Sequence, residues 1–191
     1  MTTVAVLLAA GAGSRFHGPT HKLLAPLQGR PVVAHALLHA AAAGIGPLVL
    51  VTGAVDIDPA TWGVDAEVVH NPRWAEGQAT SLDAGIHAAA TLGADRVVIG
   101  LGDQPFVDPA AWRSVALAPD DWLIVVASYD GVRGPHPVRI SRSLWPSIPP
   151  VGDDGARRLL REHVDLVHEV TCVGSALDID TWEDVQQWKS S

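Results

Sequence analysis

Cysteine is nearly absent: Cys172 is the only one in 191 residues. A single thiol makes no intramolecular disulfide and no cysteine-cluster zinc site. Cations are also scarce, with 13 Lys and Arg against 21 Asp and Glu and a formal charge of −8. The sequence has no basic tract or stripe, which excludes the footprint of a nucleic-acid partner. A small anion can still be held by a few placed cations and a metal. No apolar run reaches the roughly 20 residues of a spanning helix, so no membrane partner is expected. The first residues, MTTVAVLLAAGAG, lack a basic region and run into a glycine loop, which does not read as a signal peptide. A cytoplasmic location is expected. Repeats, low-complexity stretches and linkers are missing too, and the length predicts one domain.

What is present is an alternation of elements. β-rich runs occur at VAVLL (4–8), LVLVT (48–52), AEVVH (66–70), RVVIGL (96–101) and WLIVVAS (122–128). The first, second and fourth are almost continuously apolar, which suits strands covered on both faces. Helical patterns lie between them. RPVVAHALLHAAAAG has Pro31 at its start and Gly44 as a stop. TSLDAGIHAAATLG opens on hydroxyl residues that can cap, and DPAAWRSVAL opens on Asp108 before Pro109. Alternating strands and helices predict a mainly parallel α/β sheet with right-handed crossovers. In the later third, PHPVRI (135–140) reads as a short strand at an edge because of its prolines. VDLVHEVTC (164–172) is a further strand. GDDGARRLLREH (152–163) and DTWEDVQQWK (180–189) read as helices that begin on acidic residues.

The stretch LLAAGAGSRFHGPTHKLL (7–24) places two cations on a glycine-rich loop straight after a buried strand. Gly11 and Gly13 allow close backbone approach, so successive N–H groups can point at one anion. Arg15 can fork onto phosphate oxygens, and Lys22 supplies a point charge. The dinucleotide pattern fails at Phe16, and the Walker pattern fails because Gly18 is followed by Pro19 and Thr20. Two readings stand on these residues: a phosphate loop, or a glycine turn with two solvated cations. Asp103 follows an apolar strand, at the sheet edge where α/β proteins bind ligands. It is either a magnesium ligand or a turn residue. Asp178 and Asp180 share one face of an extended DID segment. Asp180 or Thr181 equally suits an N-cap of the final helix, with Glu183 completing a capping box. His35 and His39 are spaced like zinc ligands, but residue 36 is Ala, so core histidines are expected. The seven tryptophans are scattered without a basic groove and read as core and rim.

The loop LLAAGAGSRF…K resembles the signature loop of the MobA-like nucleotidyltransferases. NPRWAEGQATSLDAGI (71–86), GLGDQPFV (100–107), RGPHPVRI (133–140), GDDGAR (152–157) and DIDTWEDV (178–185) extend the resemblance over nearly the whole chain. Leu8-Ala9-Ala10-Gly11 and Gly77-Gln78-Ala79-Thr80-Ser81 look most like the molybdenum cofactor cytidylyltransferase branch. There are departures. The spacing from Arg15 to Lys22 is longer than usual, with Phe16-His17-Gly18 where a Met-Gly pair is common. Pro135 separates Gly134 from His136, and Trp182 replaces a usual proline.

The resemblance implies a three-layer Rossmann-like fold, mainly parallel, with a short antiparallel edge in the C-terminal third. Residues 1–130 would bind nucleotide and 131–191 would form the acceptor side. The implied reaction transfers CMP from CTP to molybdopterin and releases pyrophosphate. Arg15, Lys22 and Asp103 would be catalytic. Leu8, Ala9, Ala10, Gly11, Gly13, Gly77, Gln78 and Ser81 would complete the nucleotide site. Asp103 and Asp180 would hold Mg²⁺, while His136, Asp153 and Arg157 would bind the acceptor. Arg157 reads equally as a solvated helix arginine. The implied partners are CTP in preference to GTP, a molybdopterin-type acceptor, and a molybdoenzyme or its maturation factor. The rivals are a guanylyltransferase, transfer to another phosphorylated acceptor, and a non-catalytic molybdenum cofactor carrier or chaperone.

Overall fold

Strand β1 (Thr3–Ala9) sends alternate side chains into two cores. Ala5, Leu7 and Ala9 join one cluster, while Val4, Val6 and Leu8 join the other. That double burial explains its unbroken apolar run. The structure, a computed structural model, describes residues 1–188, apart from the side chain of Pro135. After β1 comes a two-residue antiparallel pair, β2 (Pro26–Leu27) and β3 (Arg30–Pro31), then helix α1 (Val32–Ala43). β4 (Leu48–Thr52), β5 (Glu67–His70), α2 (Gln78–Thr91), β6 (Arg96–Leu101) and α3 (Pro109–Ala116) follow. The chain continues through β7 (Ile124–Tyr129), β8 (Val132–Ser141), α4 (Ala156–Glu162), β9 (Val167–Thr171) and α5 (Trp182–Trp188). Lys189, the last residue of the expected final helix, lies outside the described residues.

The seven-stranded sheet has the order β5-β4-β1-β6-β8-β7-β9. Among the described residues of this sheet, only β8 runs against its neighbours. Helices α1 and α3 cover one face, and α2 and α4 the other. The fold is therefore a three-layer, Rossmann-like sandwich with a mostly parallel sheet. No helix among the described residues is long and apolar enough to cross a membrane.

Three local expectations need correction. The PHPVRI strand is not at an edge: β8 lies between β6 and β7. Its prolines are tolerated because pairing with β6 starts only at Val138, and the β7 register slips between Val126 and Ser128. Pro137 falls in that unpaired stretch, so it removes no ladder hydrogen bond. Helix α2 starts at Gln78 rather than Thr80, with Gly77 in the N-cap position. Helix α4 starts at Ala156 with no acid in its first turn, which leaves Asp153 and Asp154 in the loop before it.

Candidate active site

β1 and β6 are parallel neighbours, with Leu8 opposite Leu101. β4 and β5 lie beyond β1, so the winding reverses between β1 and β6. A crevice opens outside the C-terminal ends of strands at such a point. Residues 10–21 leave β1 there, and Asp103 leaves β6 there. The cleft has a volume of about 390 Å³. Leu8, Ala9, Ala10, Gly11, Gly13, Lys22, Gly77, Gln78, Ser81, Asp103 and Asp153 all line it. Arg15 and Asp180 instead line an adjoining polar cavity of about 120 Å³, together with Gly13, Ser14 and Lys22.

The loop is fixed at both ends. Gly13 has φ of 62°, and a Cβ there would lie 2.9 Å from the Lys22 Cβ. His21 accepts a hydrogen bond from the Leu23 N–H at Nδ1, which leaves Nε2–H to donate to the Gly11 carbonyl at 3.1 Å. Burial, the largest influence, lowers the His21 pKa and keeps this tautomer neutral. The unusual Phe16 and Trp182 meet edge to face, with ring centroids 5.9 Å apart. A Cβ on Gly18 would lie 2.4 Å from the Phe16 ring, so the third unusual residue makes room for that contact. Phe16, Gly18 and Trp182, three of the departures from the family pattern, thus form one packed unit.

An ion cluster closes the crevice. Lys22 Nζ donates to Asp103 Oδ2 at 2.7 Å and to Asp180 Oδ1 at 3.1 Å. The longer loop therefore still delivers Lys22 to both carboxylates. Arg15 Nη2 stands 3.1 Å from Asp180 Oδ2. Burial, the largest single influence, pushes the Lys22 pKa down, but Asp103 and Asp180 outweigh it and raise the net value. Asp178 faces the same group; burial first, then the Asp103 charge, raises its pKa, while Gln104 Nε2 donates to it at 2.8 Å.

The capping question is also resolved. The Asp184 N–H donates to Thr181 Oγ1 at 3.2 Å, and the Thr181 N–H donates to Asp184 Oδ2 at 2.7 Å. The box is Thr181 with Asp184, not Asp180 with Glu183, so the Asp180 carboxylate is free to face the cations.

Among the described residues, Asp103 Oδ1 is buried without a hydrogen-bond partner. That orphaned oxygen, beside a second carboxylate, fits a hard divalent cation that prefers oxygen ligands. No cluster of three or more His, Cys, Asp or Glu side chains among the described residues could hold a metal alone. The remaining ligands would have to come from a bound anion and water.

The other wall is built on Asn71. Its Nδ2 donates to Thr80 Oγ1 and to Ser81 Oγ, both at 2.9 Å, and its Oδ1 accepts from the Arg73 N–H. The two hydroxyls tie loop 71–77 to α2 instead of capping the helix. Gly77 has φ of 112°, and a Cβ there would lie 2.4 Å from the Gly152 carbonyl oxygen. The Ala79 N–H donates to that same oxygen at 2.9 Å, so loop 152–155 seats on the start of α2. This brings Asp153 into the cleft. His136 and Arg157 are not there: they line a smaller pocket of about 60 Å³ behind Gln78. The three expected acceptor residues are thus divided between two spaces. Asn71, His21, Ser14 and Trp74 went unassigned in the sequence. Asn71 had a signal, since Asn before Pro at a strand end is a side-chain turn residue.

Two expected bystanders are structural. His35 is 2.8 Å from the Leu27 carbonyl and His39 is 3.1 Å from the Val107 carbonyl, so the imidazoles serve different loops. Trp112 is buried in the core, whereas Trp74 lines the cleft.

His136 is held neutral: burial first, and the Arg157 charge second, push its pKa down to about 3. Between its ordinary value near 6.5 and 3, the unfolded chain binds the proton more readily, so stability is full above that range and falls as pH drops through it. Between pH 6.5 and 4.5, the His136→Gln variant should lose about 2 kcal/mol less stability than the unmodified protein, as read from urea unfolding. An equal loss in both proteins would mean that His136 titrates in the fold as it does in the unfolded chain.

The model for the MobA-like NTP transferase domain matches residues 5–167. Purine catabolism protein PucB of Bacillus subtilis (strain 168) is 37% identical over 114 residues, 57% of this chain and 54% of PucB. The chain spans about half or less of the length of the curated relatives it matches. A nucleotidyl transferase from Methanothermobacter thermautotroptrophicus (Mth528) superposes with a TM-score of 0.84 at 27% identity, over 99% of this chain and 96% of its own. Rv0371c from Mycobacterium tuberculosis H37Rv superposes with a TM-score of 0.79 at 30% identity, over 100% of both chains. Its complex with manganese superposes at 0.76 and 29% identity, again over 100% of both chains.

Proposed function

Since the chain belongs to the MobA-like NTP transferase family, we propose that it transfers CMP from CTP to molybdopterin or the molybdenum cofactor and releases pyrophosphate. The observation that carries this reading is the convergence of Lys22, Arg15, Asp103 and Asp180 beside a glycine loop at the mouth of the cleft.

In this reading the triphosphate lies along the backbone N–H groups of residues 11–14, with Arg15 and Lys22 on its oxygens. Asp103 and Asp180 hold Mg²⁺, which offsets phosphate charge; the manganese complex of Rv0371c supports a divalent ion. The base enters between the main chain of Leu8–Ala10 and the wall of Gly77, Gln78 and Ser81. The acceptor phosphate approaches past Asp153, and His136 and Arg157 serve the acceptor from behind Gln78. A phosphate monoester has a second pKa of about 6, so near neutrality it attacks without a general base. One of its oxygens forms a bond to the α-phosphorus, and the bond from that phosphorus to the β-bridging oxygen breaks. Pyrophosphate leaves with the electron pair. The protein's contribution is alignment of two anions and screening of their repulsion.

Base choice follows from Ala10 and the Gly77–Ser81 wall. Ala10 is buried and lines the cleft, and in this reading its methyl would crowd a purine more than a pyrimidine. One methyl-sized difference discriminates by roughly 10–200-fold, so CTP should exceed GTP by that order, and Ala10→Gly should relax the preference only in part. Pyrophosphate release with each of the four NTPs, with and without molybdenum cofactor, tests the whole reading. GTP as the better substrate would make the protein a guanylyltransferase. Tight cofactor binding without turnover of any NTP would make it a carrier.

A further inference from the structure

Lys22 stands where a divalent cation would have to bind. Its Nζ bridges Asp103 and Asp180 at 2.7 and 3.1 Å. Its side chain is 12% exposed and that of Asp103 is 20%, so water screens the cluster poorly. Two carboxylates this close disfavour each other's charge unless a cation sits between them. We propose that Lys22 is a resident stand-in for the metal: it holds the two carboxylates together in the unloaded site and hands its ammonium to the triphosphate when metal and nucleotide arrive. The proposal rests on the nucleotidyltransferase reading above.

Three features carry it. First, an ammonium and a divalent ion compete for the same two carboxylates, and at contact distance in a poorly screened site they repel strongly. Second, the ammonium has somewhere to go. A polar cavity of about 120 Å³ adjoins it, lined by Gly13, Ser14, Arg15 and Asp180. The Lys22 stem already runs against Gly13, so rotation about its terminal bonds moves the charge from the carboxylates toward the loop. Third, Lys22 satisfies the pair only in part. Asp103 Oδ1 stays buried without a partner among the described residues, and Arg15 remains on Asp180 to hold it in place.

The consequence is reciprocal linkage between metal and nucleotide. Metal alone must displace Lys22 with no anion to receive it. Nucleotide supplies that anion and so frees the carboxylates.

Mn²⁺ binding, read by electron paramagnetic resonance and calorimetry, tests this without turnover. The probes are Mn²⁺ alone and Mn²⁺ with the non-hydrolysable α,β-methylene analogue of CTP. The unmodified protein should bind Mn²⁺ at least about 10-fold more tightly with the analogue present. Lys22→Met should bind Mn²⁺ alone about 10-fold more tightly than the unmodified protein, and should lose a similar factor of coupling. Lys22→Gln, which can still bridge the carboxylates through hydrogen bonds, serves the same test if the methionine variant misfolds. Arg15→Met removes an equal charge that does not bridge the pair, and should raise affinity for free Mn²⁺ by less than about 3-fold. An equal rise in Arg15→Met, or no rise in either Lys22 variant, overturns the stand-in role. If no variant and no combination binds Mn²⁺ or the analogue, the nucleotidyltransferase reading itself fails and takes this proposal with it.

Discussion

Asp103→Asn is expected to lower turnover by on the order of 10²-fold or more while the fold survives. The substitution is nearly isosteric. The Asp103 main chain keeps its role, accepting the Ile179 N–H at 2.9 Å and so pinning the DID segment to the end of β6. The lost group is one negative charge beside Lys22, together with the buried oxygen that has no partner of its own. Losing that charge should also relieve the nearby Asp178 carboxyl, whose pKa is raised by burial and then by Asp103. Thermal stability should therefore change little. Kinetics would show a fall in kcat larger than any rise in KM for the nucleotide, the pattern of an interaction made in the transition state. Near-normal turnover at limiting Mg²⁺ would remove Asp103 from the metal site.

How far the sequence revealed this arrangement depends on whether a signal was local. Strand β1 was legible because double burial demands a continuous apolar run, and its glycine exit showed where a ligand loop begins. Asp103 was legible as a site candidate because it follows the apolar β6 run directly. The position of β8 was not legible. Prolines argue for an edge locally, but the sheet order is set by packing, and a register slip hides them inside. Thr181 was one of the two N-cap candidates for α5, but the capping box was placed one residue early, on Asp180 and Glu183. Glu183 and Asp184 offer the same carboxylate, and only the helix start at Trp182 decides which one reaches back. The split of Asp153 from His136 and Arg157 was equally invisible, because it arises from the seating of the Gly152 carbonyl on the start of α2. The contact between Phe16 and Trp182 joins residues far apart in the chain, and nothing near either one predicts it.

Arg139 shows the same limit with a larger energetic consequence. It lies within RGPHPVRI, a stretch the resemblance assigns to the acceptor side, yet its side chain points into the opposite layer. In register it stands between Val98 and Val125, both members of the core under α1 and α3. It is 1% exposed. Among the described residues no carboxylate pairs with it; four backbone carbonyls do. Nη1 donates to Ala116 and Ala118 at 3.2 and 2.6 Å, and Nη2 donates to Pro119 and Trp122 at 2.8 and 3.0 Å. These carbonyls lie at the end of α3 and in the turn that leads to β7, where a helix dipole favours a cation. Burial, the largest influence, lowers the Arg139 pKa, as the carbonyl cage replaces water only in part. Arg139→Met fills the space but leaves the carbonyls of Ala116 and Ala118 buried without donors, and each such group costs about 1–3 kcal/mol. The expected loss is roughly 3–5 kcal/mol once the remaining two bonds are included, or about 10 °C in Tm for a chain of this size. Arg139→Lys should fall between, because one ammonium keeps the charge but cannot span four acceptors as the planar fork does. Nucleotide affinity of the folded variants, measured by calorimetry below the transition, should stay unchanged, since Arg139 faces away from the cleft. Loss of nucleotide binding in a folded Arg139→Met protein would place the arginine in the site after all.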